Sequence, residues 1–229
     1  MTYTSAKIAS YIDQTLLKPD ATPDQLMAFC QAAKAFTFAS VCVQPLFVPL
    51  AAKCMEGTGI KVAAVVGFPH GANATQIKAA EAALAVEQGA GEIDMVLPIG
   101  LLIAGDEEAV RRDIDEVDRA AKAVNPACIT KVIFENCLLT PQQIELACKI
   151  SLETGIDFVK TATGFAGGGA TREDVALMKR CVGDAKKVEA AGGVRNLDDL
   201  LAMLDLGAER IGTSAGLKLA QEALERFGE

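Results

Sequence analysis

The sequence has a single histidine, His70, and no tryptophan among its 229 residues. A Ser-His-Asp hydrolase would have to use that one histidine, and no GxSxG motif accompanies it. Zinc sites usually take several histidine ligands, so metal-dependent chemistry is disfavoured, although a carboxylate-bound magnesium ion stays open. We therefore expect a protein that works without a metal or another cofactor.

Paired cysteines and long apolar runs are missing as well. The seven cysteines are odd in number and form no CxxC pair, which favours a reducing cytosol over a disulfide framework. The N-terminus has no signal-peptide core, and no apolar run reaches membrane length. A net charge of −8 disfavours nucleic acid and anionic membranes as partners. We expect a soluble cytoplasmic protein that acts on a small molecule.

What the sequence does contain is a regular alternation of short apolar runs and helical segments. The predicted strands are Ile12–Leu17, Ala39–Val43, Lys61–Val66, Glu92–Leu97, Ile129–Glu135, Ile156–Lys160, Lys186–Ala191 and Glu209–Gly212. After a short extra helix at Ser5–Tyr11, the predicted helices are Gln25–Ala33, Phe47–Met55, Thr75–Gln88, Asp106–Val124, one opening at Thr140, Thr171–Cys181, Asn196–Leu206 and Ala215–Phe227. This alternation predicts one (β/α)8 barrel domain over residues 1–229. A doubly wound open sheet is the alternative, but no GxGxxG follows the first strand.

The stretch from Ile156 to Lys160 is an apolar strand pattern that ends in a lysine. Burial disfavours the ammonium form and lowers a lysine pKa, so some free amine is expected at Lys160 near neutral pH. A free amine beside a loop that could hold a phosphate group is typical of a lyase that works through an imine. The alternative is an ordinary lysine whose ammonium group reaches solvent.

Glycine-rich loops follow the last three predicted strands, beginning at Gly164, at Gly192-Gly193 and at Gly212. In a (β/α)8 barrel the carboxyl ends of the strands form the active site, and the last two such loops often hold phosphate. Glycine lets backbone N–H groups approach an anion, and the helix N-termini that follow favour negative charge. We therefore expect a phosphate site there, against the alternative of plain tight turns.

Two further charged residues lie inside apolar runs, Asp94 on the fourth predicted strand and Lys131 on the fifth. An unpaired buried carboxylate is costly, so Asp94 is expected to shuttle protons or to pair with a structural lysine. Lys131 and Asp94 could satisfy each other. Cys42, on the second strand, could face the active-site mouth and react with aldehydes, but a buried small apolar residue is the favoured interpretation.

Short motifs along the whole chain resemble those of the deoxyribose-phosphate aldolase family. They are Ile12–Pro19 (IDQTLLKP), Val41–Val43, Gly67–Pro69, Glu92–Leu97 (EIDMVL), Glu135–Thr140 (ENCLLT), Phe158–Thr161 (FVKT), Ala191–Arg195 (AGGVR) and Ile211–Ser214 (IGTS). The resemblance implies a class I aldolase on a (β/α)8 barrel. Such enzymes cleave 2-deoxy-D-ribose 5-phosphate to acetaldehyde and glyceraldehyde 3-phosphate without a metal.

The resemblance also implies roles for individual residues. Lys160 would form the Schiff base, Asp94 would be the general acid/base through a water, and Lys131 would assist the carbinolamine and imine steps. The phosphate- and substrate-binding positions would be Thr163, Gly164, Gly192, Gly193, Gly212 and Ser214. A place in deoxyribonucleotide catabolism would follow.

Glu189 departs from the family pattern, because the family has a second active-site lysine three positions before the glycine pair. A unit charge about 7 Å away contributes about 2.4 kcal/mol at an effective dielectric of ~20. Exchanging a cation for a carboxylate should make Lys160 more basic and less nucleophilic. Lys187 could pair with Glu189, although one layer deeper. Two milder departures are Gln14, where histidine is usual, and Ala162, where serine is common. Gln44, where asparagine is usual, is a conservative change.

Two functions stay open from the sequence. One is a working lyase, either on deoxyribose 5-phosphate or on a related phosphosugar for which Glu189 serves as an additional catalytic acid/base. The other is a phosphosugar-binding barrel with impaired catalysis. A homodimer is possible, since barrels often dimerise through helices.

Overall fold

The computed structural model of the protein describes residues 3–228. Its eight strands are β1 (Ile12–Leu16), β2 (Ser40–Val43), β3 (Lys61–Val66), β4 (Glu92–Val96), β5 (Ile129–Ile133), β6 (Phe158–Lys160), β7 (Lys187–Ala191) and β8 (Arg210–Thr213). All neighbouring strands pair in parallel, and β8 pairs with β1, so the sheet closes into a barrel in the order of the sequence. The predicted (β/α)8 barrel is therefore confirmed, and the open sheet is wrong.

The helices of residues 3–228 surround this barrel. They are α1 (Ser5–Ala9), α2 (Pro23–Ala33), α3 (Val48–Met55), α4 (Thr75–Glu87), α5 (Ile99–Ala104), α6 (Glu107–Val124), α7 (Pro141–Leu152), α8 (Arg172–Val182), α9 (Leu197–Asp205) and α10 (Gly216–Phe227). Short 3₁₀ helices occupy Pro45–Phe47 and Asn136–Leu138. None of the helices in this part of the chain combines the length and the apolarity needed to cross a bilayer.

Side-chain caps fix where several helices begin. Thr22 accepts a hydrogen bond from the Gln25 backbone N–H, and the Gln25 side chain accepts one from the Thr22 N–H. Thr140 and Gln143 repeat this reciprocal cap at α7. Proline follows the cap residue in both helices, where its missing N–H costs nothing. The predicted starts of these two helices are therefore reproduced to within two residues.

Two differences from the predicted elements have local causes, and one short helix is additional. Strand β6 begins at Phe158 rather than Ile156, because Lys186 Nζ donates hydrogen bonds to the carbonyls of Thr154 and Ile156, both at 2.7 Å. Strand β5 ends at Ile133, because Glu135 takes a left-handed φ of 61° that no strand continues through. The short helix α5 was not predicted.

The apolar core has two separate parts. The larger part fills the space between the sheet and the helices and includes Ile93, Val132 and Ile211. A much smaller part lies inside the barrel and consists of Leu17, Cys42, Ala63 and Val65. Successive residues of a strand point to opposite faces, and the inward apolar residues of the smaller part come from β2, from β3 and from the end of β1. Most of the remaining barrel interior is charged.

Candidate active site

Seven charged side chains from six strands meet inside the barrel, and we call them the ion cluster. Its members are Asp13 on β1, Glu92 and Asp94 on β4, Lys131 on β5, Lys160 on β6, Glu189 on β7 and Arg210 on β8. The four carboxylates and Lys131 are fully buried, Lys160 is 4% exposed, and the Arg210 side chain is 12% exposed. Isolated charges could not be buried in this way, so mutual pairing holds the cluster together.

Lys160 ends strand β6 and contacts two carboxylates. Its Nζ donates a short hydrogen bond to Asp94 Oδ2 and lies 2.8 Å from Glu189 Oε1. Burial alone would lower the pKa of Lys160, but Asp94 and Glu189 outweigh burial and raise that pKa above its ordinary value. The expectation of a free amine from burial alone is therefore wrong. The direction agrees with the effect expected from Glu189, at a much shorter distance than 7 Å.

Lys131 is the most highly paired member of the cluster. Its Nζ lies 2.6 Å from Asp13 and 3.0 Å from both Glu92 and Glu189. Its distance to Asp94 Oδ1 is 3.3 Å, so the expected pairing of Lys131 with Asp94 exists but is one contact among four. Burial lowers the pKa of Lys131, but the surrounding carboxylates raise it well above its usual value.

Glu189 lies between the two lysines. Its strand pairs Lys160 with Glu189 directly across the β6–β7 ladder, and its carboxylate reaches Lys131 as well. Burial raises the pKa of Glu189, and the two lysines only partly oppose this effect. Lys187 does not pair with Glu189, because its Nζ lies 5.4 Å over the Phe158 ring at the exposed start of β7. That suggested pairing is wrong.

Asp94 bridges the two lysines on the β4 side. Burial raises the pKa of Asp94, but Lys131 and Lys160 outweigh burial and lower it. Cys42 Sγ lies 4.0 Å from Asp94 Oδ2 and is fully buried, and burial followed by the charge of Asp94 raises its thiol pKa. The interpretation of Cys42 as a small buried residue is therefore the one that the geometry favours.

A cavity of about 270 Å³ opens above Lys160. Its lining includes all six predicted phosphate- and substrate-binding residues, namely Thr163, Gly164, Gly192, Gly193, Gly212 and Ser214. Gly164, Gly192 and Gly193 have φ values of 82°, 84° and 81°, which side chains rarely adopt. The cavity thus joins the amine-bearing lysine to a rim of exposed backbone that could hold an anion.

Two of the predicted binding residues, Thr163 and Gly212, already contact carboxylates of the protein. The Thr163 hydroxyl donates a short hydrogen bond to Glu135 Oε2, and the Thr163 N–H also donates to that carboxylate, so Thr163 anchors the loop. Gly212 lies against Glu189, because a Cβ at this glycine would come 2.7 Å from Glu189 Oε1. Gly212 therefore makes room for Glu189 as well as lining the cavity.

Gln14 and Gln44, which both differ from the family pattern, lie away from the ion cluster. Gln14 is buried and points toward α10, since a Cβ at Gly216 would be 2.2 Å from its Oε1. Gln44 Nε2 donates to the Leu17 carbonyl at 3.0 Å and so supports the end of β1. Ala162 lines the cavity.

Asp13, Glu92 and Arg210 were not predicted as site residues. Arg210 donates to Asp13 Oδ1 through a short contact and to Glu92 Oε1 at 3.0 Å, which closes the bottom of the cluster. Asp13 follows an apolar strand residue just as Asp94 does, and Glu92 precedes Asp94 by two positions on the same strand face. A carboxylate directly after an apolar strand residue is the signal that identifies Asp13, whereas Glu92 follows Gly91 at the start of its strand and gives no such signal. Within residues 3–228, no group of His, Cys, Asp or Glu side chains is arranged to hold a metal ion.

The chain is similar to known aldolases over nearly its whole length. The family model described as DeoC/LacD family aldolase matches residues 7–222. The deoxyribose-phosphate aldolase of Carboxydothermus hydrogenoformans is 52% identical over 217 residues, which cover 95% of each chain. The solved structure of QR15, an aldolase, has a TM-score of 0.90 with 37% identity and 96% coverage of both chains. The tetrameric deoxyribose phosphate aldolase of Aeropyrum pernix has a TM-score of 0.88 with 30% identity, over 95% of this chain and 91% of its own.

Proposed function

The chain belongs to the DeoC/LacD family of aldolases, and on that premise we propose that it cleaves 2-deoxy-D-ribose 5-phosphate to acetaldehyde and D-glyceraldehyde 3-phosphate through an imine on Lys160. The observation that carries the proposal is the position of Lys160. Its amine lies at the base of a cavity of about 270 Å³ whose rim is built from glycine-rich loops. A lyase for a phosphosugar needs a nucleophile and an anion site in one cavity.

Lys160 is the nucleophile in this proposal. Its amine adds to the substrate carbonyl, and loss of water leaves a protonated imine that withdraws electrons as the carbon–carbon bond breaks. Asp94 is the general acid/base that moves protons at the substrate in this proposal, which its direct contact with Lys160 Nζ supports. Lys131 acts on the carbinolamine and imine steps through the carboxylates that it pairs with, Asp94 and Glu189. Glu189 is an additional acid/base.

The phosphate of the substrate would lie on the loops after β6, β7 and β8. The left-handed conformations of Gly192 and Gly193 are typical of anion-binding loops. The Gly192 N–H donates to the Gly212 carbonyl at 3.4 Å, so the Gly193 N–H is the donor that we propose for the phosphate. Ser214 lies just before α10, a helix of 12 residues whose N-terminus favours negative charge. Thr163, Gly164 and Gly212 complete the rim.

The wider context follows from this chemistry. We propose that the protein is a single domain, acts in deoxyribonucleotide catabolism in the cytoplasm, and needs no cofactor. A net charge of −8 supports a small-molecule substrate rather than nucleic acid. A homodimer is our proposal for the assembly, and light scattering of the purified protein tests it.

One observation favours a second candidate function. Glu189 lies 2.8 Å from Lys160 Nζ and helps to hold it as an ammonium group, which does not attack carbonyls. A protein in which this contact silences Lys160 would bind phosphosugars without turning them over. The intact Asp94 contact and the glycine rim favour the lyase.

Borohydride trapping separates the two candidates. The protein is incubated with deoxyribose 5-phosphate or acetaldehyde and reduced, and the adduct is located by peptide mass spectrometry. An adduct on Lys160 that is lost in Lys160→Ala establishes imine chemistry. No adduct on Lys160 from neutral to alkaline pH, in protein that is folded and binds the phosphosugar, would leave the binding function.

A further inference from the structure

The ion cluster carries an unequal number of charges. Its carboxylates are Asp13, Glu92, Asp94 and Glu189, and its cations are Lys131, Lys160 and Arg210. With every group ionised, these seven side chains carry a net charge of −1, and the Lys61 ammonium group, 3.9 Å from Glu92 Oε1 and 44% exposed, is a partner that solvent largely screens. Buried net charge is costly, so any step that adds a second uncompensated negative charge is strongly opposed.

The nucleophile must lose a proton before it can attack a carbonyl. If Lys160 lost its proton to solvent, the cluster would carry a net charge of −2. If the proton moved instead to a carboxylate of the same cluster, the net charge would stay at −1. Electrostatics therefore favours a proton acceptor within the cluster over release of the proton to bulk water.

Two carboxylates contact Lys160 Nζ, and they differ in their hydrogen bonds and in the direction of their pKa shifts. Asp94 Oδ2 already accepts the short hydrogen bond from Lys160, and its pKa is lowered, despite burial, by Lys131 and Lys160. Both oxygens of Glu189 are buried and lie within 3.0 Å of lysine nitrogens, but neither accepts a directed hydrogen bond. Burial raises the pKa of Glu189 and makes it the better proton acceptor of the two.

We propose that Glu189 is the catalytic residue that takes the proton from Lys160 and later returns it to the departing hydroxyl of the carbinolamine. This inference rests on the proposed imine chemistry and adds a role that a lysine at this position could not perform in the same way. The 2.8 Å contact between Glu189 Oε1 and Lys160 Nζ provides the path, and a small rotation of the carboxylate aligns it.

The proton balance of the cycle is closed. An N–H bond of the Lys160 ammonium breaks and an O–H bond forms on Glu189, which leaves a neutral amine and a neutral carboxylic acid. The amine adds to the carbonyl to form a C–N bond, and one amine proton moves to the carbonyl oxygen. Glu189 then gives its proton to that hydroxyl, which leaves as water. The products are a protonated imine on Lys160 and the Glu189 carboxylate beside it.

The pH dependence of Glu189 is set by groups from several strands around it. The charged groups that act on it directly are Asp13 on β1, Asp94 on β4, Lys131 on β5, Lys160 on β6 and Arg210 on β8. Two more titratable groups lie behind these, Cys42 against Asp94 and Glu92 against Lys131. Glu189 accepts a proton only when it is ionised. Activity should therefore be lost as the pH falls through its raised pKa and stay level above that pKa.

The decisive variant is Glu189→Gln, with Glu56→Gln at an exposed position as its control. If Glu189 only makes Lys160 more basic, the amide frees the amine and trapping by acetaldehyde becomes faster at neutral pH. If Glu189 accepts the proton, trapping on Lys160 becomes slower at neutral pH by about a hundredfold or more, and partly recovers in alkali. Unchanged or faster trapping overturns the proposal.

The wild-type protein gives a second test that does not depend on the folding of a variant. The profile of kcat/KM on deoxyribose 5-phosphate should have an acid limb above the usual glutamate pKa of about 4.3 and then a plateau through neutral pH. Activity that instead rises steadily between about pH 7 and 10 shows release of the Lys160 proton to solvent and overturns the proposal. An adduct on Lys160 with such a profile would leave the aldolase function standing, whereas no adduct at any pH overturns both.

Discussion

Gly212 and Glu189 occupy one space on adjacent strands, since the glycine leaves only enough room for the carboxylate. A Cβ at Gly212 would lie 2.7 Å from Glu189 Oε1 and 2.9 Å from Ala191 Cβ. Such distances are shorter than van der Waals contact, so any larger residue displaces Glu189 or its strand. The position of Glu189 between two lysines is therefore fixed partly by a residue on strand β8.

Gly212→Ala should destabilise the protein by about 1–3 kcal/mol, the usual cost of overpacking a filled interior, and should lower kcat by displacing Glu189 from Lys160. Urea unfolding and turnover measure the two effects. Gly100→Ala is the matched control, since Gly100 lies in helix α5 with no atom near its Cβ position. That change should be neutral or slightly stabilising. Equal stability of the two variants would contradict the tight contact.

Asp13→Asn tests the bottom of the ion cluster. Asp13 lies 2.6 Å from Lys131 and also contacts Arg210, so removing its charge weakens both contacts, although Lys131 and Arg210 keep other carboxylate partners. We expect a loss of about 1.5–3 kcal/mol in the free energy of unfolding at neutral pH, the usual contribution of a hydrogen bond to a charged group. Asp20→Asn, at an exposed position, should change little.

The pH dependence of the Asp13 effect has a definite sign. Burial raises the pKa of Asp13, but Lys131 and Arg210 outweigh burial and lower it in the folded state. The stability that Asp13 provides is therefore complete above the unfolded pKa of about 3.9 and is lost as the pH falls through the folded value. The difference between wild type and Asp13→Asn should shrink on acidification. A difference that grows in acid would contradict the assignment.

Gly193→Ala probes the proposed phosphate loop. The φ of 81° at Gly193 costs an alanine about 1–3 kcal/mol of backbone strain, although no atom blocks its Cβ. The loop should shift, so KM should rise for deoxyribose 5-phosphate and change little for unphosphorylated deoxyribose. Steady-state kinetics on both sugars measures this. Equal effects on the two sugars would place the phosphate elsewhere.

Glu189→Lys distinguishes a working site from an impaired one. With Glu189 as proton acceptor, a lysine beside Lys131 and Lys160 removes the acceptor, and turnover of deoxyribose 5-phosphate should fall about a hundredfold. Turnover that rises by orders of magnitude would identify Glu189 as an impairing substitution and would favour the binding function for the wild-type protein.

The fold was predictable because each strand and helix has its own local signals. Thr22 and Thr140 mark the starts of their helices through reciprocal caps. Glycine or proline follows shortly after most strands and marks where they end. Helix α5 escaped prediction because it is six residues long, contains Gly100, and follows Pro98 directly. Local sequence does not announce so short an apolar helix, which is held by packing against its neighbours.

The site was predictable in its residues but not in its pairing. A charge within an apolar run identified Asp94 and Lys131, while Asp13 and Glu92 stand at strand starts and were passed over. No sequence pattern shows that Lys131 has four carboxylate neighbours, because those contacts join strands that are far apart in the chain. The pairing of these charges depends on the closed barrel, which brings the strands together.

The division between the apolar shell and the charged barrel interior has a consequence for how such proteins change. Helices such as α6 pack on the outer surface of the sheet and do not take part in the ion cluster. Along each strand, outward-facing residues therefore support the fold, and the inward-facing residues that alternate with them form the barrel interior. A substitution at one inward-facing position, such as residue 189, can therefore change the reaction while the outward-facing residues preserve the fold.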